Sequence, residues 1–167
     1  MTVALVEGVP EVVKAGGAVE ERYDYVDGGV LAAGDLIRVT TGGEIKVSGT
    51  TSTSPPHGVS LYAVASEVNE PAPVLLFDDD TNISIPCIDG VKPTDLSKGS
   101  TYTLEKGTGG VWGITSTTTN GVATVVGYAD DGIPWIDRYG SFDQDSGTNQ
   151  NRVIVRITRA LLDTYAA

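Results

Sequence analysis

An all-β fold, a small β-barrel or sandwich of about 8–10 short strands behind an extended N-terminal arm, is expected on three grounds. Val, Ile and Thr make up about 30% of the chain, against one Met and two Phe. Side chains branched at Cβ are stiff and suit a pleated surface better than a helix. The 21 Gly and 8 Pro are spread along the sequence as punctuation between short segments. Finally, no stretch carries helical periodicity long enough for a crossover between parallel strands.

Residues 1–33 alternate small and acidic residues with single hydrophobes, broken by Gly16-Gly17 and Gly28-Gly29. They read as an extended arm with one or two short strands, ahead of a β-domain over 34–167. From Gly34 the pattern sharpens. Leu36 to Val39 is a strand, Thr41-Gly42-Gly43 a turn, and Glu44 to Val47 a second strand with Ile45 and Val47 on its apolar face. The paired glycines supply the positive φ that a tight hairpin demands.

The segment 50–58, TTSTSPPHG, is a polar loop whose two prolines exclude a central strand. His57, the chain's single histidine, reads as loop filler. Strands follow over Val59–Val64, Ala72–Phe77 and Ile83–Ile85, then a hairpin of Tyr102–Glu105 with Val111–Ile114. Val122–Tyr128 is the next strand. In the last one, Arg152–Ile157, the alternation puts Val153, Val155 and Ile157 on a buried face and Arg152 with Arg156 on the other. Ala160 to Tyr165 reads as one helical turn.

Charge narrows the partners. The net charge is −11 and the pI about 4.3. Residues 1–84 hold 13 acids and 4 bases, whereas residues 85–167 hold 9 acids and 7 bases. Nucleic acid and membrane surfaces are themselves anionic, so neither is an expected partner. No signal peptide is expected, because no basic residue precedes Lys14 and no apolar run approaches the roughly 20 residues of a membrane helix. Cys87, the single cysteine, lies among Ile85, Pro86 and Ile88 and reads as a small core residue in a reducing compartment.

No catalytic constellation is legible, so a non-enzyme without a cofactor is expected. Neither a phosphate-cradling loop nor a nucleophile elbow occurs, and one histidine restricts the usual base to the proline loop. Two oxygen-rich segments have weak calcium spacing. Asp78-Asp79-Asp80-Thr81-Asn82 lacks the glycine that the bend needs, and reads better as an acidic turn. Asp143, Asp145 and Asn149 are spaced around Gly147 with no bidentate Glu after them, and read better as a surface loop rich in Asx turns. Trp112 reads as core. Trp135, among turn residues, reads as an interface residue.

The order of GDLIRV (34–39), EIKVSG (44–49), the proline loop and HGVSLYAV (57–64), after the early VEGVPEVVKAGGAVE, resembles head decoration (cement) proteins of tailed bacteriophages. The resemblance covers roughly residues 1–77 and rests on small and β-branched residues. The strands and loop over 100–150 go beyond the smallest members. It implies a structural virion protein, made in the host cytoplasm, that binds the exterior of the expanded capsid and stabilises it. The implied partners are the major capsid protein and further copies of the chain, as a homo-trimer or homo-dimer. Candidate contact residues are Val3, Val6, Val9, Val12 and Val13 on the arm, Trp135, and Arg152 and Arg156 if exposed. Competing readings are a carbohydrate-binding surface module using Trp135, a tail-tube or fibre component, and an enzyme of unrecognised type.

Overall fold

The computed structural model describes residues 10–14, 19–50, 54–66, 71–88, 90–107, 110, 112–127 and 152–165. Among them are fourteen strands, one 3-10 turn (Pro93–Asp95) and one short α-helix, so the chain is all-β. In chain order the first seven strands are β1 (Glu11–Lys14), β2 (Val19–Tyr23), β3 (Val30–Leu31), β4 (Leu36–Val39), β5 (Ile45–Val47), β6 (Gly58–Ser60) and β7 (Val64–Ala65). The next four are β8 (Ala72–Leu76), β9 (Asn82–Pro86), β10 (Thr101–Tyr102) and β11 (Leu104–Lys106). The chain continues through β12 (Trp112–Ile114), β13 (Ala123–Gly127) and β14 (Arg152–Ile157) to the helix α1 (Arg159–Leu162).

Two five-stranded sheets organise these elements, and each curls back on itself. The first runs β2-β8-β6-β4-β5. Just past β2, Tyr25 forms a parallel bridge with Ile45 of β5. The Ile45 amide donates to the Asp24 carbonyl at 2.9 Å and the Val26 amide to the Ile45 carbonyl at 3.2 Å. The first and last strands therefore meet, closing barrel 1 around Tyr25, Leu31, Ile37, Val39, Ile45, Ala72 and Val74. A barrel this narrow is filled by its own side chains. The β4–β5 hairpin is as the sequence implies: Gly43 at φ +81° turns the chain, and its amide donates to the Thr40 carbonyl at 3.0 Å.

The second sheet runs β1-β9-β14-β13-β10. β10 continues through Thr103 into β11, which pairs with β12. Ile114 of β12 then bridges to Cys87, just past β9, so the second ring of strands also closes. That closure depends on Gly113. A Cβ there would lie 2.8 Å from the Pro86 carbonyl and run into the Ile88 side chain, so only glycine lets β12 approach. Alternate residues of each strand point inward, among them Ile83, Ile85, Leu104, Trp112, Val125, Val153 and Ile157. Leu36, Val59 and Phe77 from the outer face of barrel 1 join the same cluster, and so does Leu162 of α1. The first sheet is thus apolar on both faces.

Three expectations are corrected. The arm expected over 1–33 is, from residue 19 on, part of barrel 1: β2 pairs along its length with β8, and Tyr25 and Leu31 are buried. β1 pairs with β9, and residues 1–9 lie outside the described residues. The strand number is higher than expected because runs read as single strands are broken. Val59–Val64 divides into β6 and β7, and Tyr102–Glu105 into β10 and β11, where the chain changes partner between the two halves. Finally, β14 buries residues on both faces rather than one: Arg152 and Ile154, opposite Val153, Val155 and Ile157, are buried too, while Arg156 on the same side is half-buried.

Candidate functional site

The most chemically distinctive place among the described residues surrounds His57, in a crevice of about 80 Å³. Tyr23, Val39 and Leu76 line it from barrel 1, Phe77 from just past β8, and Leu162 and Tyr165 from the C-terminal segment. Here the two apolar clusters meet at the rim of barrel 1.

The backbone of His57 is anchored on both sides. Its amide donates to the Ile37 carbonyl at 2.7 Å, and its carbonyl accepts from the Phe77 amide at 2.8 Å. Pro55 and Pro56 restrict the approach to this position and are themselves buried. The ring is held as firmly. The Val39 amide donates to Nδ1 at 2.8 Å, and Nε2 lies 2.8 Å from the Thr164 carbonyl. An amide only donates and a carbonyl only accepts, so these partners fix a neutral ring with its proton on Nε2. The Tyr165 ring stacks on the imidazole, with centroids 4.9 Å apart and planes inclined by 21°. Burial lowers the pKa of His57; the bond to Thr164 opposes that shift and the nearby Arg38 charge adds to it.

His57 is therefore not loop filler. The composition of 50–58 indicated a loop, and the side chain's role depends on a partner 107 positions away. One local signal was present: a histidine flanked by Pro55, Pro56 and Gly58 sits on backbone with little freedom, where a side chain is held in one direction.

A second polar cluster links the two barrels. Asp35, buried at the start of β4, accepts the Trp112 indole N–H at 3.2 Å on Oδ1 and the Ala32 amide at 2.9 Å on Oδ2. The Lys106 ammonium lies 2.8 Å from Oδ1 and 5.9 Å from the Trp112 ring centroid. Trp112 is core, as its position in the strand implied.

The arginines expected to contact a partner behave differently from each other. Arg152 is 1% exposed, which corrects the expectation that it faces outward. Its Nε donates to Ser84 Oγ at 3.0 Å and its Nη2 to the Ser84 carbonyl at 2.9 Å. Both bonds reach Ser84 on the neighbouring strand β9, so the guanidinium is engaged within the sheet. Arg156 is half-buried, and its Nε donates to Asn82 Oδ1 at 2.6 Å. That bond also takes up Asn82 from the acidic turn at 78–82. In the same turn Asp78 Oδ1 accepts from the Asp80 amide at 3.0 Å and the Thr81 hydroxyl at 2.9 Å. This carboxylate closes a turn in the way Asx residues do. Among the described residues no three His, Cys, Asp or Glu side chains gather as metal ligands.

Cys87 is fully buried, and burial pushes its thiol up to about 12. Val12 and Val13 lie on β1, where Val12 pairs with Ile83 of β9 and Val13 falls at the register shift between Val12 and Lys14. Val3, Val6, Val9, Trp135, Asp143, Asp145 and Asn149 lie outside the described residues. No protein-family model matches this chain, and neither does any curated protein.

Proposed function

We propose that the chain is a structural virion protein of the decoration type, binding the outside of an expanded phage capsid and stabilising that state of the shell. The observation that carries this reading is β1. It is the terminal strand of its sheet, and its far edge has no strand partner among the described residues. An open strand edge presents backbone donors and acceptors that accept a strand from another chain. Residues 1–9, with Val3, Val6 and Val9, lead directly into it. Two densely filled barrels suit a bracing role, and a net charge of −11 keeps crowded copies soluble at a shell surface. The resemblance over residues 1–77 points the same way. The partners on this reading are the major capsid protein and other copies of the chain, and the bound protein resides on the virion exterior.

Co-sedimentation with shells lacking the protein tests this reading. Saturation at a fixed ratio on expanded shells, with none on unexpanded shells, supports it; absence from both rejects it for that coat protein. Removal of residues 1–9 is the appropriate truncation. Deletion to residue 30 would also remove β2 and Tyr25, and with them the wall of barrel 1. The short truncation is expected to leave a folded chain that no longer saturates the shell.

A further inference from the structure

His57 joins three parts of the molecule: β4 through the Val39 amide, β8 through the Phe77 amide, and the C-terminal segment through Thr164 and Tyr165. Besides His57 the segment is held by Leu162, buried in the second barrel's cluster, and by Leu161, partly buried against it. α1 is a single turn of four residues, and its ion pair, Arg159 Nε to Asp163 Oδ2 at 3.2 Å, is solvent-exposed and so contributes little. Its buried side chain is Leu162, which lies against the crevice.

We infer that His57 is an acid-released latch: a proton on Nδ1 replaces the acceptor of the Val39 amide with a second donor and frees the segment 158–165 from the rim of barrel 1. Two N–H groups facing each other at 2.8 Å cannot bond, so the charged ring must leave its place. Leaving breaks the bond to Thr164 and removes the surface on which Tyr165 stacks. The crevice then opens and exposes Phe77 and Leu162.

The groups around the ring favour this outcome. Arg38 on β4 adds positive charge, and the lining supplies two phenols, Tyr23 from β2 and Tyr165, and no carboxylate. Burial and the nearby Glu21 raise the pKa of Tyr23, so that phenol stays neutral throughout the acid range. An imidazolium in the crevice thus has no counter-charge in its lining. The lowered pKa gives the sign: latch stability is complete above the ordinary value of 6.5 and is lost as pH falls below it toward the lowered folded value. With an ordinary imidazole the open form gains a factor of about 11 at pH 5.5 against about 1.3 at pH 7, so opening rises by at most about eightfold, reduced by any proton the closed ring takes up.

The single histidine makes the test direct, because the chain holds one imidazole resonance. NMR titration of the intact protein follows the His57 ring together with hydrogen exchange at the Val39, Leu162 and Asp163 amides, corrected for intrinsic rates. The expected result is a midpoint below 6.5 and a loss of protection at those amides that grows from pH 7 to 5.5, up to about eightfold, while Val155 in the centre of its sheet keeps its protection. His57→Asn, whose amide oxygen replaces Nδ1 as the acceptor, is expected to abolish the pH dependence. A midpoint of 6.5 or above overturns the latch, and so does protonation with full protection retained in α1. The wild-type titration decides even where the variant fails to fold.

Discussion

Trp112 donates its indole N–H to the carboxylate of Asp35 across 3.2 Å, and this bond ties the β11–β12 hairpin of one barrel to the first turn of the other. Lys106, 2.8 Å from the same oxygen, supplies the charge that lets a carboxylate sit there buried. Asp35→Ala leaves the Trp112 N–H and the Ala32 amide without this acceptor and strands Lys106. A cost of about 1–3 kcal/mol is expected by urea denaturation, with Asp35→Asn losing less because it keeps the shape and one acceptor. Equal losses in the two variants would show that the charge, rather than the hydrogen bonds, matters.

Arg152 and Arg156 are expected to separate sharply. Arg152→Ala removes a buried side chain and two donors to Ser84, and about 3 kcal/mol or more of stability should go with it. Arg156→Ala loses one bond to Asn82 on a half-buried face, for about 1 kcal/mol. Chemical denaturation of the two variants checks this ordering, and the reverse order would contradict the burial of Arg152.

Gly113→Ala should destabilise by about 1–3 kcal/mol, through overpacking at the closure of the second barrel. Truncating Ile88 to Ala in the same chain removes the clashing Cγ2 but leaves the residue-88 Cβ 3.0 Å and the Pro86 carbonyl 2.8 Å from the new methyl. Because Ile88→Ala is itself costly, the comparison is a double-mutant cycle in thermal melts. Gly113→Ala should cost less in the Ile88→Ala chain than in the wild type without becoming neutral. A neutral effect there would mean that the backbone approach is looser than this.

The Cys87 thiol should resist iodoacetamide in the folded protein and react on unfolding, because burial holds it neutral. The same shift has a pH consequence. The fold favours the thiol, so its contribution is complete below pH 9.0 and is lost as pH rises from 9.0 toward about 12. Tyr23 and Tyr25, also raised by burial, act in the same direction. The specific part is read by difference: urea midpoints at pH 7 and pH 10.5 should fall less in Cys87→Ala than in the wild type.

Local pattern carried the parts of this fold whose partners are near in sequence. The β4–β5 hairpin was legible because Ile45 and Val47 alternate with charged residues beyond a glycine turn. β14 was legible because Val153, Val155 and Ile157 alternate with Arg152 and Arg156. The same alternation misplaced Arg152, since nothing local tells a solvent-facing arginine from one received by Ser84. β2 was hidden for the opposite reason. Four of its five residues are exposed, so an edge strand with so little to bury resembles an arm. The two barrel closures, Tyr25 to Ile45 and Cys87 to Ile114, are single bridges between distant residues and leave no periodic trace. The bonds of His57 are legible only once Thr164 is known to be its neighbour.

The central place of β14 between β9 and β13 also sets an order of events during synthesis. Every strand of barrel 1 has left the ribosome once residue 76 emerges, so that barrel can close while translation continues. The second ring has no centre until residues 152–157 arrive, and until then β9 and β13 wait on the nascent chain without their common neighbour. Leu36, Val59 and Phe77 stay uncovered over the same interval. Chaperone demand should therefore fall on the half-made chain and end abruptly with its last strand.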